Sequence, residues 1–255
     1  MRIGICASAD KAQLIADAGA DYIELSVRDM LVPEEGESTW ATKRAEMLAM
    51  PLPVEAFNLF LPGDLKIVGD NADWERAARY VPVAFSRAAQ VGASVIVFGS
   101  GGSRRVPEGY AREDATNNIA DFLLLCASAS AETGVALAIE PLNRAESNII
   151  NSVGEGAGYV TACNMPGVRL LADSYHMEKD NEPVSEATKH GALLVHAHTA
   201  DTGRFAPATG TYDHAAFFTA LRAGGYDGRV SIESTWRDLA SEAAPAIAHL
   251  RRAAG

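Results

Sequence analysis

Eight short apolar runs recur along this chain with longer amphipathic segments between them, and that alternation restricts the fold more than any other feature. The runs are Arg2–Cys6, Tyr22–Leu25, Val54–Asn58, Ser94–Phe98, Val135–Glu140, Val168–Asp173, Ala192–His198 and Arg229–Glu233. Each is rich in Val, Ile, Leu or Ala and flanked by Gly, Pro, Asn or Asp, as buried strands are. Helical periodicity fills the gaps. Lys11–Ala18, Trp74–Val91, Arg112–Thr133 and Ala215–Ala223 stop at Gly19, Gly92, Gly134 and Gly224, the residue type that turns left-handed past a helix end at least cost. Shorter helical patterns cover Trp40–Met50, Gly156–Cys163, Val184–Lys189 and Leu239–Arg252. Eight such units predict an α/β chain closed as a single (β/α)8 TIM barrel domain over residues 1–255. The competing fold, an open doubly wound sheet, usually shows a glycine-rich turn after its first strand, and Cys6-Ala7-Ser8-Ala9-Asp10 is not one.

Charge narrows the partners. With 22 Lys+Arg against 33 Asp+Glu the chain carries a net charge of −11, which disfavours nucleic acid and anionic membrane surfaces. Apolar stretches such as Phe122–Cys126 fall far short of the roughly 20 residues of a membrane span. The start, Met1-Arg2-Ile3-Gly4-Ile5-Cys6 cut short by Asp10-Lys11, does not read as a signal peptide. Cys6, Cys126 and Cys163 are odd in number and widely spaced, which fits free thiols in a reducing compartment. A cytoplasmic protein is expected. Gly99-Ser100-Gly101-Gly102 and Gly154-Glu155-Gly156 lack a Walker lysine and read as loops that need positive φ.

In a barrel, strand C-termini open into one shared pocket. The last four runs end in Glu140, Asp173, His198 and Glu233, one βα unit apart each time. Three converging carboxylates repel and raise one another's pKa, a conflict that a divalent cation removes. An oxygen-rich set with one imidazole suits Mn²⁺, Mg²⁺ or Co²⁺, with Zn²⁺ also allowed.

The segments IEPLNRAE (Ile139–Glu146), DSYHME (Asp173–Glu178), HAHTAD followed by GR (His196–Arg204) and GYDGRVSIE (Gly225–Glu233) resemble the xylose isomerase-like TIM-barrel superfamily, nearest its ketose 3-epimerase and hydroxypyruvate or inosose isomerase branch. The resemblance implies that Glu140, Asp173, His198 and Glu233 ligate one divalent metal, manganese first. It implies that Glu140 and Glu233 are the paired acid/base carboxylates on opposite faces of a small sugar. It assigns Glu146, His176 and Arg204 to substrate oxygens. The activity so implied is metal-dependent isomerisation or epimerisation of a small sugar or polyol ketone through an enediolate.

Departures lie around the substrate pocket. Ala145 stands where the family often has an aromatic, and Phe205–Asp213 is a looser version of a Pro-Gly-rich loop. The same metal chemistry could end in elimination, as in an inosose dehydratase or a lyase cleaving a keto-glycoside. An apurinic endonuclease would need histidines on earlier strands, and none precedes His176. His196, two residues before His198, faces the same way one layer deeper. Glu24 reads as a substrate group or, more naturally, as half of a buried ion pair. Trp40, Phe57, Phe60 and Trp236 are candidates for an apolar wall or for plain core. The expected partner is a small carbohydrate, and a homo-oligomer is compatible with the sequence.

Overall fold

The computed structural model describes residues Met1–Gly255. Its strands are β1 (Arg2–Cys6), β2 (Tyr22–Ser26), β3 (Val54–Asn58), β4 (Val95–Phe98), β5 (Ala136–Ile139), β6 (Val168–Asp173), β7 (Leu194–Thr199) and β8 (Arg229–Ile232). They pair in chain order, all parallel, and β1 pairs with β8 to close the barrel. β7 begins later than expected because Gly191–Leu193 folds as a 3₁₀ turn. β5 and β8 each stop one residue before a carboxylate. The ladder still fixes that residue: the Glu140 N–H donates to Phe98 O at 3.2 Å and the Glu233 N–H to Thr199 O at 3.0 Å.

Helices cover the outside. The longest, Arg112–Thr133, ends at Gly134 with φ +75°. Ser174–Lys179 begins directly after β6, where the sequence shows only a strand end. The cause is Asp173, whose Oδ1 accepts the Tyr175 N–H at 2.8 Å and so caps the helix it precedes. Residues Val27–Leu31 form a π-helical turn after β2. No helix is long and apolar enough to cross a membrane.

The glycine-rich loops depart from expectation. In Gly99–Gly102 the positive φ falls on Ser100, not on a glycine. Gly99 and Gly101 are needed for space: a Cβ on Gly99 would overlap the Glu140 carboxylate, and one on Gly101 would come within 3.0 Å of Glu146 O. Gly154 and Gly156 lie inside the helix Val153–Cys163, and a Cβ on Gly156 would stand 2.7 Å from Leu170.

Trp40, Phe57 and Phe60 are core. Phe60 packs among Tyr80, Phe85, Phe98 and Phe122 at centroid distances of 6.0–6.4 Å, so it walls no sugar site. Trp236 is half-buried against the same core. Cys126 is buried, while Cys6 and Cys163 are half-buried. Cys6 lies beside Glu24 and His198.

Candidate active site

The C-terminal ends of β5 to β8 carry Glu140, Asp173, His198 and Glu233; His198 meets Glu140 and Glu233, but the ligand atoms that all lie close to one another are those of the three carboxylates with His176, and of His198 with Cys6 and Glu24. Asp173 and His198 are register partners on β6 and β7, which places their side chains side by side. His198 Nδ1 lies 3.1 Å from Glu140 Oε1 and 3.8 Å from Glu233 Oε2. Its other nitrogen, Nε2, lies 3.0 Å from Glu24 Oε1. His176 reaches the carboxylates from the short helix after β6. Single ligand atoms of Glu140, Asp173, His176 and Glu233 all fall within 4.8 Å of one another.

Hydrogen bonding separates the two histidines. The backbone N–H of Asn143 donates to His176 Nδ1 at 3.2 Å, so the proton of the neutral ring sits on Nε2. That Nε2 is buried without a hydrogen-bond partner, 3.6 Å from Asp173 Oδ2 and 4.0 Å from Glu140 Oε1. It is a donor awaiting an acceptor. In His198 the Glu24 carboxylate engages Nε2, which leaves Nδ1 to present a lone pair to the carboxylates once its own proton is gone. Three carboxylates and one such imidazole fit a divalent cation, with His176 beside it as a hydrogen-bond donor.

Of the two arginines that line this pocket, Arg28 and Arg204, it is Arg204 that reaches the carboxylates. Its Nη2 lies 2.5 Å from Glu233 Oε2, its Nη1 lies 3.4 Å from Glu146, and its head stacks 5.0 Å over the Tyr175 ring. It sits at φ +65°, a left-handed backbone that a non-glycine residue adopts only under constraint. Glu146 is exposed at the rim, held by the Asn143 amide at 2.9 Å.

The two glutamates titrate in opposite directions. Burial pushes Glu140 up, but hydrogen bonding and charge from His198, with His176 and Arg204, hold its carboxyl below the ordinary range. Burial dominates at Glu233, where Glu140 adds repulsion and His198 only partly compensates, so its carboxyl lies above that range. A pair whose environments push them apart is suited to opposite roles as proton acceptor and proton donor.

The model of the xylose isomerase-like TIM barrel family matches residues 12–253. The chain belongs to this family. Among its relatives, the L-ribulose 3-epimerase of Mesorhizobium japonicum is 30% identical over 231 residues, covering 89% of this chain and 75% of that protein. The 3-dehydro-D-guloside 4-epimerase of Escherichia coli is 33% identical over 120 residues, but the match covers only 47% of this chain and 46% of that enzyme. The chain thus aligns with about half the length of that curated relative. The crystal structure of the E. coli 3-keto-D-glucoside 4-epimerase shares the fold with a TM-score of 0.85 over 99% of both chains at 24% identity. A D-psicose 3-epimerase structure gives 0.86 over 100% of both at 20% identity.

Several contributors to this xylose isomerase-like site do not stand out in the sequence. Asn58, at the end of β3, donates its amide to Glu233 Oε1 at 3.4 Å. The strand-end rule points to it, but an uncharged amide gives no electrostatic signal. Arg104 is fully buried beneath the site and donates to Phe98 O and Glu140 O, both at 2.8 Å. Burial lowers its pKa to about 10, so it stays charged at neutral pH. In sequence the pair Arg104-Arg105 looks like a solvated charge. Glu24, by contrast, is expected from the sequence as half of a buried ion pair, and it is the hub of a buried network inside the xylose isomerase-like barrel. Its Oε2 lies 2.7 Å from His196 Nε2 and accepts from Ser231 Oγ at 2.6 Å, and Ser231 in turn meets Tyr22 OH at 2.7 Å.

Proposed function

We propose that this chain is a divalent-metal-dependent isomerase or epimerase of a small sugar or polyol ketone, with Glu140 and Glu233 as its acid/base pair. The observation that carries the reading is the convergence of Glu140, Asp173, Glu233 and the Nδ1 face of His198 at one end of the barrel, with the donor His176 Nε2 unpartnered beside them. Similarity to sugar epimerases, L-ribulose 3-epimerase among them, supports the reaction class.

Glu140, Asp173, His198 and Glu233 would hold the ion, manganese being the first choice for so oxygen-rich a set. Bound there, a divalent cation supplies Lewis acidity to a ketone and its neighbouring hydroxyl. The chain's residues do the rest. One glutamate takes the proton α to the ketone, forming the enediolate. The other returns a proton on the opposite face, which inverts that carbon. Delivery to the adjacent carbon instead gives isomerisation. His176 Nε2–H and the Arg204 guanidinium point donors at oxygens whose charge grows as the enediolate forms. Glu146 at the rim accepts a substrate hydroxyl. Asn58 keeps the Glu233 carboxylate aimed into the pocket.

The test is turnover of a panel of ketoses, with product separated by chromatography, before and after metal removal. Conversion of at least one ketose is expected, lost in chelator and restored by Mn²⁺. Glu140→Gln and Glu233→Gln should each lower kcat by at least 10²-fold, the scale of a positioned acid or base. Full activity in chelator, or in either variant, contradicts the reading.

A further inference from the structure

Cys6 stands apart from the plain packing thiol of this chain. Cys126 is buried in the apolar core, whereas Cys6 is half-buried and lines a cavity of about 480 Å³ over the ends of β1 and β2. It ends β1 as the register partner of Glu24 on β2, so both side chains leave the sheet on the same face. His198 reaches the pair from β7. Single ligand atoms of Cys6, Glu24 and His198 all lie within 4.8 Å of one another. One thiol, one carboxylate and one imidazole make a softer donor set than the carboxylates beside it.

This cluster can take a cation without losing its supports. Glu24 Oε2 is held by His196 Nε2 and Ser231 Oγ, while Oε1 faces His198 Nε2 at 3.0 Å. Donors around a tetrahedral zinc stand roughly 3.3–3.8 Å apart. A small retreat of Oε1 from Nε2, with Sγ drawn toward both, meets that spacing. The cavity on the Cys6 side leaves a fourth position open to water. Thiolate is the ligand that selects Zn²⁺ or Cd²⁺ over harder ions such as Mn²⁺ and Mg²⁺.

We propose that Cys6, Glu24 and His198 form a second, inhibitory site for a thiophilic divalent cation of the zinc class, whose occupancy excludes the ion held by the carboxylates. The exclusion follows from the single ring of His198. A neutral imidazole offers one lone pair. A cation on Nε2 takes it there and leaves the proton on Nδ1, the nitrogen that faces Glu140 and Glu233. The thiol proton and the Nε2 proton leave for solvent. Binding stands on the cluster alone, while its effect on turnover rests on the acid/base reading above, in which His198 serves the other ion.

The test starts from the metal-free full chain titrated with Cd²⁺, whose bond to a thiolate gives an ultraviolet charge-transfer band. One equivalent should raise that band in the unaltered chain, in Cys126→Ser and in Cys163→Ser, but not in Cys6→Ser or Cys6→Ala. Mn²⁺ affinity, followed by paramagnetic resonance, should fall about tenfold or more when Cd²⁺ is present, and far less in Cys6→Ser. Mn²⁺-loaded Cys6→Ser should turn over ketose at the unaltered rate yet need about tenfold or more Zn²⁺ for half inhibition. A band that survives in both Cys6 variants, or no band in the unaltered chain, overturns the site. A band with unchanged Mn²⁺ affinity overturns the exclusion. Absence of ketose turnover in every form contradicts the acid/base reading instead, because the band and the resonance signal report on the site without substrate.

Discussion

Glu24 Oε1 lies 3.0 Å from His198 Nε2 while its Oε2 lies 2.7 Å from His196 Nε2, so one fully buried carboxylate engages two imidazoles inside the barrel. Burial works against an ionised Glu24, but the charges of His198 and His196 prevail and hold its carboxyl well below the ordinary range. The contact fixes the ring of His198 with Nδ1 toward Glu140 and Glu233. Glu24→Gln should therefore weaken Mn²⁺ binding by about 10–100-fold, the usual effect of losing a partner behind a metal-bound histidine. Calorimetric titration of the metal-free chain measures it, and unchanged affinity would show that Glu24 is only a packing element.

Gly99 has an ordinary backbone conformation, yet a Cβ there would overlap the Glu140 carboxylate. Gly99→Ala should fold with a nearly unchanged Tm and lose at least 10²-fold in kcat, since displacing a catalytic group by about 1 Å costs that much. Circular dichroism paired with steady-state kinetics separates the two effects.

Arg104 ties the ends of β4 and β5 together through the carbonyls of Phe98 and Glu140. Arg104→Met leaves buried acceptors without donors and should destabilise the fold by about 3–5 kcal/mol. In a chain of this size that lowers Tm by roughly 6–20 °C in a calorimetric scan. Arg104→Lys should recover only part of the loss, because an ammonium lacks the planar fork that reaches both carbonyls.

Glu182, half-buried, accepts the Val153 N–H at 2.9 Å at the start of the helix Val153–Cys163. Burial, aided by Glu186 and Asp180 and opposed by the Val153 and Gly154 amides, raises its carboxyl from an ordinary 4.5 to about 7. The folded state thus holds this proton where the unfolded chain has released it. The stability from this group is fully present below about pH 4.5 and is lost as pH rises to about 7. Solvent screening of the half-exposed carboxyl limits the change to on the order of 1 kcal/mol. Urea unfolding from pH 4.5 to 8 should show this decline, and Glu182→Gln should flatten it.

The barrel and its four strand-end ligand candidates are legible because each depends on local pattern: an apolar run, then a charged residue where the run stops. The interior network is not. Ser231 and Glu24 lie 207 residues apart, and only closure of β1 on β8 makes them neighbours. Asp173 shows a second limit, since one side chain both ends a strand and caps the following helix. Left-handed positions fall on Leu59, Ser100 and Arg204, while Gly99 and Gly101 on either side of Ser100 are needed for clearance. The assignment of the two histidines follows from hydrogen bonds to Asn143 and Glu24 that no spacing rule displays.

The central claim is that Glu140 and Glu233 move a proton α to a ketone beside a divalent cation. It is tested most directly by mass and NMR analysis of sugar product formed in D₂O. The account predicts one deuterium at the inverted carbon with the Mn²⁺-loaded chain, and neither inversion nor label after chelation. Product inverted without deuterium, or label accumulating equally in the metal-free chain, would contradict it.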